Sequence, residues 1–355
     1  MPSFSEGTVS EIINERRGLQ RVLVRIDEGS GLSESHMPAD QPAYVLTDLI
    51  GKVALDDRVI MNTTAVDLGL GTGGWHIVHW NLSRRGLELQ GEGQIMKLRY
   101  TSLQINTGAA EEVSETEPVS LHGMPVVTCL LHSQMAVVAA VLKELAPSTR
   151  IAYVMTDQAC LPLALSDLVH ELTERQLLAG TVTTGQSFGG DIEAVNIASG
   201  LEVARKYFNA DVIIVAPGPG VVGTGTRLGF GGLEAVHVLD DTERAGAVPI
   251  FCLRWSDADR RDRHRGLSHH SSTVMERTHA RVHVGAPSST DKEALEKAIG
   301  ADAEIEFFDI PNVGATLDSL DLPVTTMGRH IDRDPGFFSF SAAAGILAAK
   351  FNERR

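Results

Sequence analysis

The chain has 355 residues, 43% of them apolar and 22% charged, with a formal net charge of −15. That length exceeds one ordinary hydrophobic core and suits two domains, while the acidic balance argues against a duplex-binding or anionic-membrane surface. No apolar run approaches the roughly 18 residues needed to cross a bilayer. The N-terminus lacks a basic region followed by an apolar run, so the cytoplasm is the expected compartment. Cys129, Cys160 and Cys252 are scattered in apolar surroundings without a CxxC and read as inert thiols.

The first hundred residues read as β structure. Thr8–Ile13 and Gln20–Ile26 alternate apolar and polar side chains, as half-buried strands do. Ala43–Thr47, Arg58–Asn62, Trp75–Trp80, Gly86–Leu89 and Gln94–Tyr100 continue the pattern between short turns. Strands so joined predict a small all-β, barrel-like domain over 1–108. Gly69, Gly71, Gly73 and Gly74 read as turn geometry. A glutamate-rich stretch makes 109–120 an acidic linker ahead of a larger domain over 121–355.

In that second domain apolar runs alternate with helical patterns. Strand-like segments fall at Pro125–Leu131, Arg150–Met155, Gly180–Thr184, Asp211–Ala216, Val248–Arg254, Arg281–Gly285, Glu304–Asp309 and Pro323–Met327. Ile192–Phe208 has a helical apolar stripe with Asp191 placed to cap it. The alternation predicts an α/β fold with a mainly parallel, doubly wound sheet. Eight strands leave a closed (β/α)8 barrel as the alternative.

Either architecture gathers ligands at the carboxyl ends of the strands, and those ends carry the polar residues. After the third strand comes Gly185-Gln186-Ser187-Phe188-Gly189-Gly190-Asp191, where Gln186, Ser187, Gly189 and Gly190 are expected to offer groups to an anion at a helix N-terminus. After the fourth, seven of the fifteen residues from Gly218 to Gly232 are glycine. Glycines allow positive φ and close backbone approach, so N–H groups can line an anion. Gly218, Gly220, Gly223, Thr224, Gly225, Thr226 and Arg227 are the expected cradle. The GxGxxG within it is not a dinucleotide fingerprint, since no helix opens at its third glycine and the ribose-binding acid is misplaced, so NAD is not expected.

Between Leu253 and Arg281 lie seven arginines, four acids and four histidines, a positive island on an acidic protein that can focus a small anion. His269 or His270 is the expected proton carrier, Arg265 a neutralising cation, and Asp157 or Asp191 an orienting carboxylate. Asp157 and Asp191 can equally be helix caps, and the histidine segment a solvated ion-pair face. No HxH or HExxH spacing assigns metal ligands, so none is named, although a divalent ion as cofactor stays open.

These segments resemble a known family. Gly185–Asp191 with Glu193-Ala194-Val195-Asn196, the loop Gly218–Thr226 with Leu228-Gly229-Phe230, and Arg263-His264-Arg265-Gly266-Leu267-Ser268-His269-His270 look like its motifs. So do Leu70-Gly71-Thr72-Gly73-Gly74 and Ile95–Thr101. The chain is similar to the domain-of-unknown-function family thirty-eight sixty-six. The resemblance covers nearly the whole chain and departs at Ser187, where the family more often has alanine. It implies a bacterial cytoplasmic setting and no established activity. The residues themselves favour an enzyme that hydrolyses, or transfers a group on, a phosphorylated or carboxylated metabolite. A metabolite sensor without turnover and an oligomeric scaffold are the alternatives; a homo-oligomer is expected, and neither nucleic acid nor membrane is an expected partner.

Overall fold

A computed structural model describes residues 2–27, 40–89, 91, 93–113, 119–300 and 303–355. The chain divides into two compact units, Met1–Gly108 and Ala109–Arg355. Of the acidic stretch, Ala110–Val113 forms a helical turn, and 114–118 lie outside the described residues.

The first unit is a closed barrel. Its strands are β1 (Phe4–Arg16), β2 (Leu19–Ile26), β3 (Asp40–Leu46), β4 (Arg58–Asn62) and β5 (His76–Asn81), in the order β1-β2-β3-β5-β4. Val9, Val22, Val24, Ala43, Val45, Val59 and Met61 are fully buried, the inward half of the alternation read from the sequence. Gly86–Leu89 is not a strand, and only Met96–Lys97 of the expected Gln94–Tyr100 strand pairs, with Ile105–Asn106.

The second unit holds an open sheet of eight parallel strands: β6 (Pro125–Cys129), β7 (Ile151–Thr156), β8 (Gly180–Thr183), β9 (Ile192–Glu193), β10 (Val212–Pro217), β11 (Val248–Cys252), β12 (His283–Pro287) and β13 (Glu304–Phe308). Their order is β9-β8-β7-β10-β6-β11-β12-β13. The sheet has two edges, so the closed (β/α)8 alternative is excluded and the doubly wound form stands. Successive side chains on a strand point to opposite faces, and the core splits accordingly. Val127, Cys129, Tyr153 and Ile214 pack under α1 (His132–Leu145), α2 (Asp167–Glu174), α7 (Val313–Ser319) and α8 (Pro335–Glu353). Val126, Val154, Ile213, Phe251 and Val284 face α3 (Ile197–Phe208), α4 (Ala235–Arg244), α5 (His269–Met275) and α6 (Lys292–Ile299). Burial on both faces explains why the strands read as unbroken apolar runs.

Two assignments change. Pro323–Met327 is not a sheet strand; it ends in a tight turn with an isolated bridge between Thr326 and Arg329. The eighth strand is Ile192–Glu193, which pairs with Val182 and Thr183. The helix expected from Ile192 therefore starts at Ile197, where the Asn196 side chain accepts the Ser199 N–H.

The strand order opens a crevice at the carboxyl edge of the sheet. From β7 the chain runs outward to β8, whereas β10, its neighbour, leads back past β6 to β11. Connections that diverge from adjacent strands open a gap at their carboxyl ends.

Candidate functional site

The two glycine-rich loops at this edge differ in kind. In the turn after β8 every backbone N–H from Gln186 to Asp191 is already bonded within the protein. Gln186 N donates to Asp157 Oδ2 (2.9 Å), Ser187 N to Thr184 O (3.1 Å) and Phe188 N to Leu161 O (3.0 Å). Gly189 N donates to Glu193 Oε1 (2.8 Å), Gly190 N to Thr183 Oγ1 (3.1 Å) and Asp191 N to Thr181 Oγ1 (3.0 Å). The expectation that Gln186, Ser187, Gly189 and Gly190 present amides to an anion is corrected: carboxylates, hydroxyls and carbonyls of the chain occupy that role. Ser187 is fully buried, its hydroxyl shared between Thr184 O and Met155 O. Asp191 caps no helix. Its Oδ2 accepts the N–H and hydroxyl of Thr181 (3.0 and 2.9 Å), near the amino end of β8 and away from the carboxyl edge. Asp157 caps none either; Ser166 caps α2.

The loop after β10 is an open hairpin. Gly223 and Phe230 bridge, Thr224 N donates to Gly229 O (2.8 Å), and Gly231 N to Val222 O (2.9 Å). Thr224 and Thr226 hydroxyls bond each other (2.9 Å) and brace the tip through Gly229. Among the described residues, the N–H groups of Gly220, Val221, Val222 and Gly223 have no hydrogen-bond acceptor in the protein. Gly220 and Gly225, with φ of 85° each, hold the bends that other residues adopt at a cost.

This hairpin leans on the histidine segment. The Phe230 ring stacks on His270, centroids 3.7 Å apart and 4° from parallel. A methyl on Gly223 would lie 4.0 Å from His270 Nε2, and one on Gly225 would lie 3.3 Å from Arg263 Cζ. A two-stranded ribbon, Trp255–Ser256 with Gly266–Leu267, returns the chain to Ser268, whose hydroxyl caps α5 by accepting the His270 N–H (3.2 Å). Buried Asp334 fixes the ribbon, accepting from Ser256 Oγ (2.6 Å), Asp257 N (2.7 Å) and Arg329 Nε (2.9 Å).

His264, His269 and His270 thereby converge, with ring centroids 4.4–4.9 Å apart. His264 Nδ1 bonds Ser268 Oγ (2.7 Å), and His270 Nδ1 meets Arg254 Nη1 (3.0 Å). A guanidinium only donates, so His270 Nδ1 accepts and its neutral ring carries hydrogen on Nε2. Both ring nitrogens of His269 are buried and have no partner among the described residues. Burial, then the charge of Arg254, pushes His264 down to about 3 and His270 to about 2. His269 is lowered by burial and by Arg263. All three imidazoles are neutral at pH 7. Arg254 is itself buried, its pKa lowered to about 10 chiefly by burial. Its counter-charge is Asp259, 3.8 Å away, which Arg261 also clamps through Nε (2.9 Å) and Nη2 (2.8 Å).

The other cations read from the sequence stand elsewhere. Arg227 is exposed and paired with Glu276. Arg265 is exposed, just before the ribbon strand Gly266–Leu267. Sequence reasoning passed over Arg254, which looks like the end of a strand, and Glu234, which looks like a helix glutamate. Glu234 lines a gap over the carboxyl ends of β6, β7 and β10 with Thr128, Thr156, Pro217 and Gly232, and this gap has no room for a water molecule. It accepts the Thr156 hydroxyl, and burial raises its pKa to about 8, helped by the nearby charge of Asp157. His132, in contrast, is satisfied on both ring nitrogens, by Pro217 O (3.0 Å) and Ser166 Oγ (2.6 Å). The thiols are free: Cys129 and Cys252 are buried, and burial pushes Cys160 up to about 12.

The family model described as "Protein of unknown function (DUF3866)" matches residues 42–345. The chain belongs to this family. No curated protein matches it. The matched span includes the open sheet, the glycine hairpin and the converging histidines, so the site belongs to the family domain. Among the described residues no helix is long and apolar enough to cross a membrane.

Proposed function

We propose that this protein binds a small phosphorylated or carboxylated metabolite between the glycine hairpin and the histidine–arginine cluster, and catalyses hydrolysis or group transfer on it. The observation that carries the reading is His269, an imidazole with both nitrogens buried and unpartnered beside Arg254 and Arg263. A buried polar group without a partner is costly, and a ligand relieves that cost. Gly220–Gly223 amides and Arg263 would hold the anion, with Arg265 and the His270 Nε2–H as further donors. Neutral His269 would accept a proton from the attacking group.

Thermal unfolding against a panel of phosphorylated and carboxylated metabolites tests this. A ligand at 100 times its Kd adds about 2.7 kcal/mol, a rise of several degrees in Tm. Turnover of the ligand so identified is expected to vanish in the His269→Ala/His270→Ala variant. A flat panel removes the binding site; retained turnover in the double variant removes the assignment of the proton carrier.

A further inference from the structure

Imidazoles gathered at one point, neutral and buried, offer lone pairs as well as hydrogens. One ring nitrogen from each of His264, His269 and His270 lies within 4.8 Å of those of the other two. The hydrogen bonds sort their roles. Ser268 Oγ can accept from His264 Nδ1–H, which leaves the Nε2 lone pair free; an oxygen acceptor on the far nitrogen is the usual arrangement behind a metal-bound histidine. His269 has either nitrogen available. His270 differs, because Arg254 donates to its Nδ1 and its Nε2 therefore bears hydrogen and cannot ligate.

We propose that His264 and His269 hold a borderline divalent cation of the zinc class, with its remaining positions taken by water and by the bound anion; with the cation in place His269 is its ligand and no longer the proton acceptor. Imidazole donors select this class over magnesium or calcium, and a site with open positions is the catalytic rather than the structural type. His270 Nε2–H then donates to the anion or water on the metal. The charges around the cluster set a condition. Arg254, Arg261 and Arg263 bring positive charge to it; Asp259, which faces Arg254, is already clamped by Arg261, and Arg329 is held by Asp334. That field opposes a cation alone and favours a cation that arrives with an anion. Metal and anion must therefore bind cooperatively, each raising the affinity of the other by the same factor. The inference rests on the anion site proposed above.

The test uses the full chain stripped with EDTA, with Zn2+ and phenylphosphonate as probes. Zn2+ affinity is read by chelator competition and phenylphosphonate affinity by calorimetry. We expect Zn2+ to bind at least tenfold tighter with phenylphosphonate present, and phenylphosphonate to bind tighter by the same factor with Zn2+. His264→Gln and His269→Gln should each weaken Zn2+ at least 100-fold, while His270→Gln keeps Zn2+ within about threefold and weakens phenylphosphonate. Ser268→Ala, which removes only the acceptor behind His264, should weaken Zn2+ about tenfold; it serves as the test if His264→Gln does not fold. Zn2+ affinity unchanged in the His264 and His269 variants overturns the proposal. Phenylphosphonate affinity that is the same with and without Zn2+ also overturns it, while leaving the anion site intact. Absence of phenylphosphonate binding in both states, with Zn2+ binding still lost in those variants, instead removes the anion site and upholds the ligands.

Discussion

The turn after β8 and the hairpin after β10 are both glycine-rich, both follow parallel strands, and both begin at the same sheet edge. They differ in where their amides go. In the turn, Asp157, Glu193 and the Thr181 and Thr183 hydroxyls take the N–H groups; in the hairpin, those of Gly220–Gly223 stay open. Glycine content thus marks where a chain can bend, and only the count of acceptors decides whether the bend can hold an anion. Substitution breaks the comparison most severely at Gly185. Its φ is 63°, and a Cβ there would lie 2.2 Å from Asp157 Oδ2. Gly185→Ala should combine backbone strain with overpacking and cost about 4 kcal/mol in urea unfolding. Gly220→Ala, at φ 85° with nothing within 4 Å of the new methyl, should cost only about 1 kcal/mol. Equal costs at the two positions would mean the turn is no tighter than the hairpin.

A smaller effect, read through pH, separates the groups beneath the hairpin from the rest of the edge. The unfolded chain takes up a proton on each histidine near pH 6.5, whereas folded His132, His264 and His270 do so only near 4, 3 and 2. Between those values the folded state binds fewer protons, so stability is full above pH 6.5 and falls as the pH drops below it. Glu234 acts in the opposite sense. Its folded value of about 8 lies above the ordinary 4.5, so its contribution is full below 4.5 and is lost as pH rises towards 8. Each group changes stability by about 1.4 kcal/mol per pH unit inside its window. Three histidines against one glutamate leave a net loss of about 3 kcal/mol per unit of acidification between pH 6 and 5, and Glu234 adds a shallower decline above 6.5. Unfolding measured from pH 5 to 8.5 should peak near 6.5, and Glu234→Gln should flatten the alkaline side. A profile flat below pH 6.5 would show that the histidines are hydrated, and the cluster would lose its case for a waiting ligand.

The layers of the fold were legible because burial leaves a periodic trace. Val126–Val127, Ile151–Met155 and Val212–Ala216 are apolar on both faces, and the barrel strands alternate. Legibility failed where a local pattern met a tertiary contact. Ile192, Val195, Ala198, Leu201, Ala204 and Phe208 fit a helical stripe, yet pairing with Val182 and Thr183 draws Ile192–Glu193 into an edge strand. The site shows the same limit. The histidine segment stands out by composition, but the bond between Arg254 and His270 joins residues sixteen apart, and the convergence of His264 with His269 depends on the ribbon fixed by Asp334. Glu234 gives no sequence signal at all, since its perturbation comes from a crevice that exists only once β7 and β10 are neighbours.

The smallest effect separates the two kinds of arginine near the hairpin. Arg227 belongs to the glycine loop in sequence, and its pairing with Glu276 is a contact between two exposed side chains. Such pairs contribute at most a few tenths of a kcal/mol to about 1 kcal/mol, and a guanidinium already held by a carboxylate outside the cluster has little to offer an anion inside it. Arg254 has the reverse character: distant from the loop in sequence, buried, and bonded to His270. Arg227→Gln should therefore shift stability by no more than about 0.5 kcal/mol and leave phenylphosphonate affinity within about twofold. Arg254→Gln should weaken phenylphosphonate about tenfold or more, because it removes a nearby positive charge and the donor to His270 Nδ1 that keeps hydrogen on Nε2 for the anion. Calorimetric titration of the two variants side by side decides between them. If Arg227→Gln proves the more damaging, the anion sits at the hairpin tip, and the converging histidines lose their place in the site.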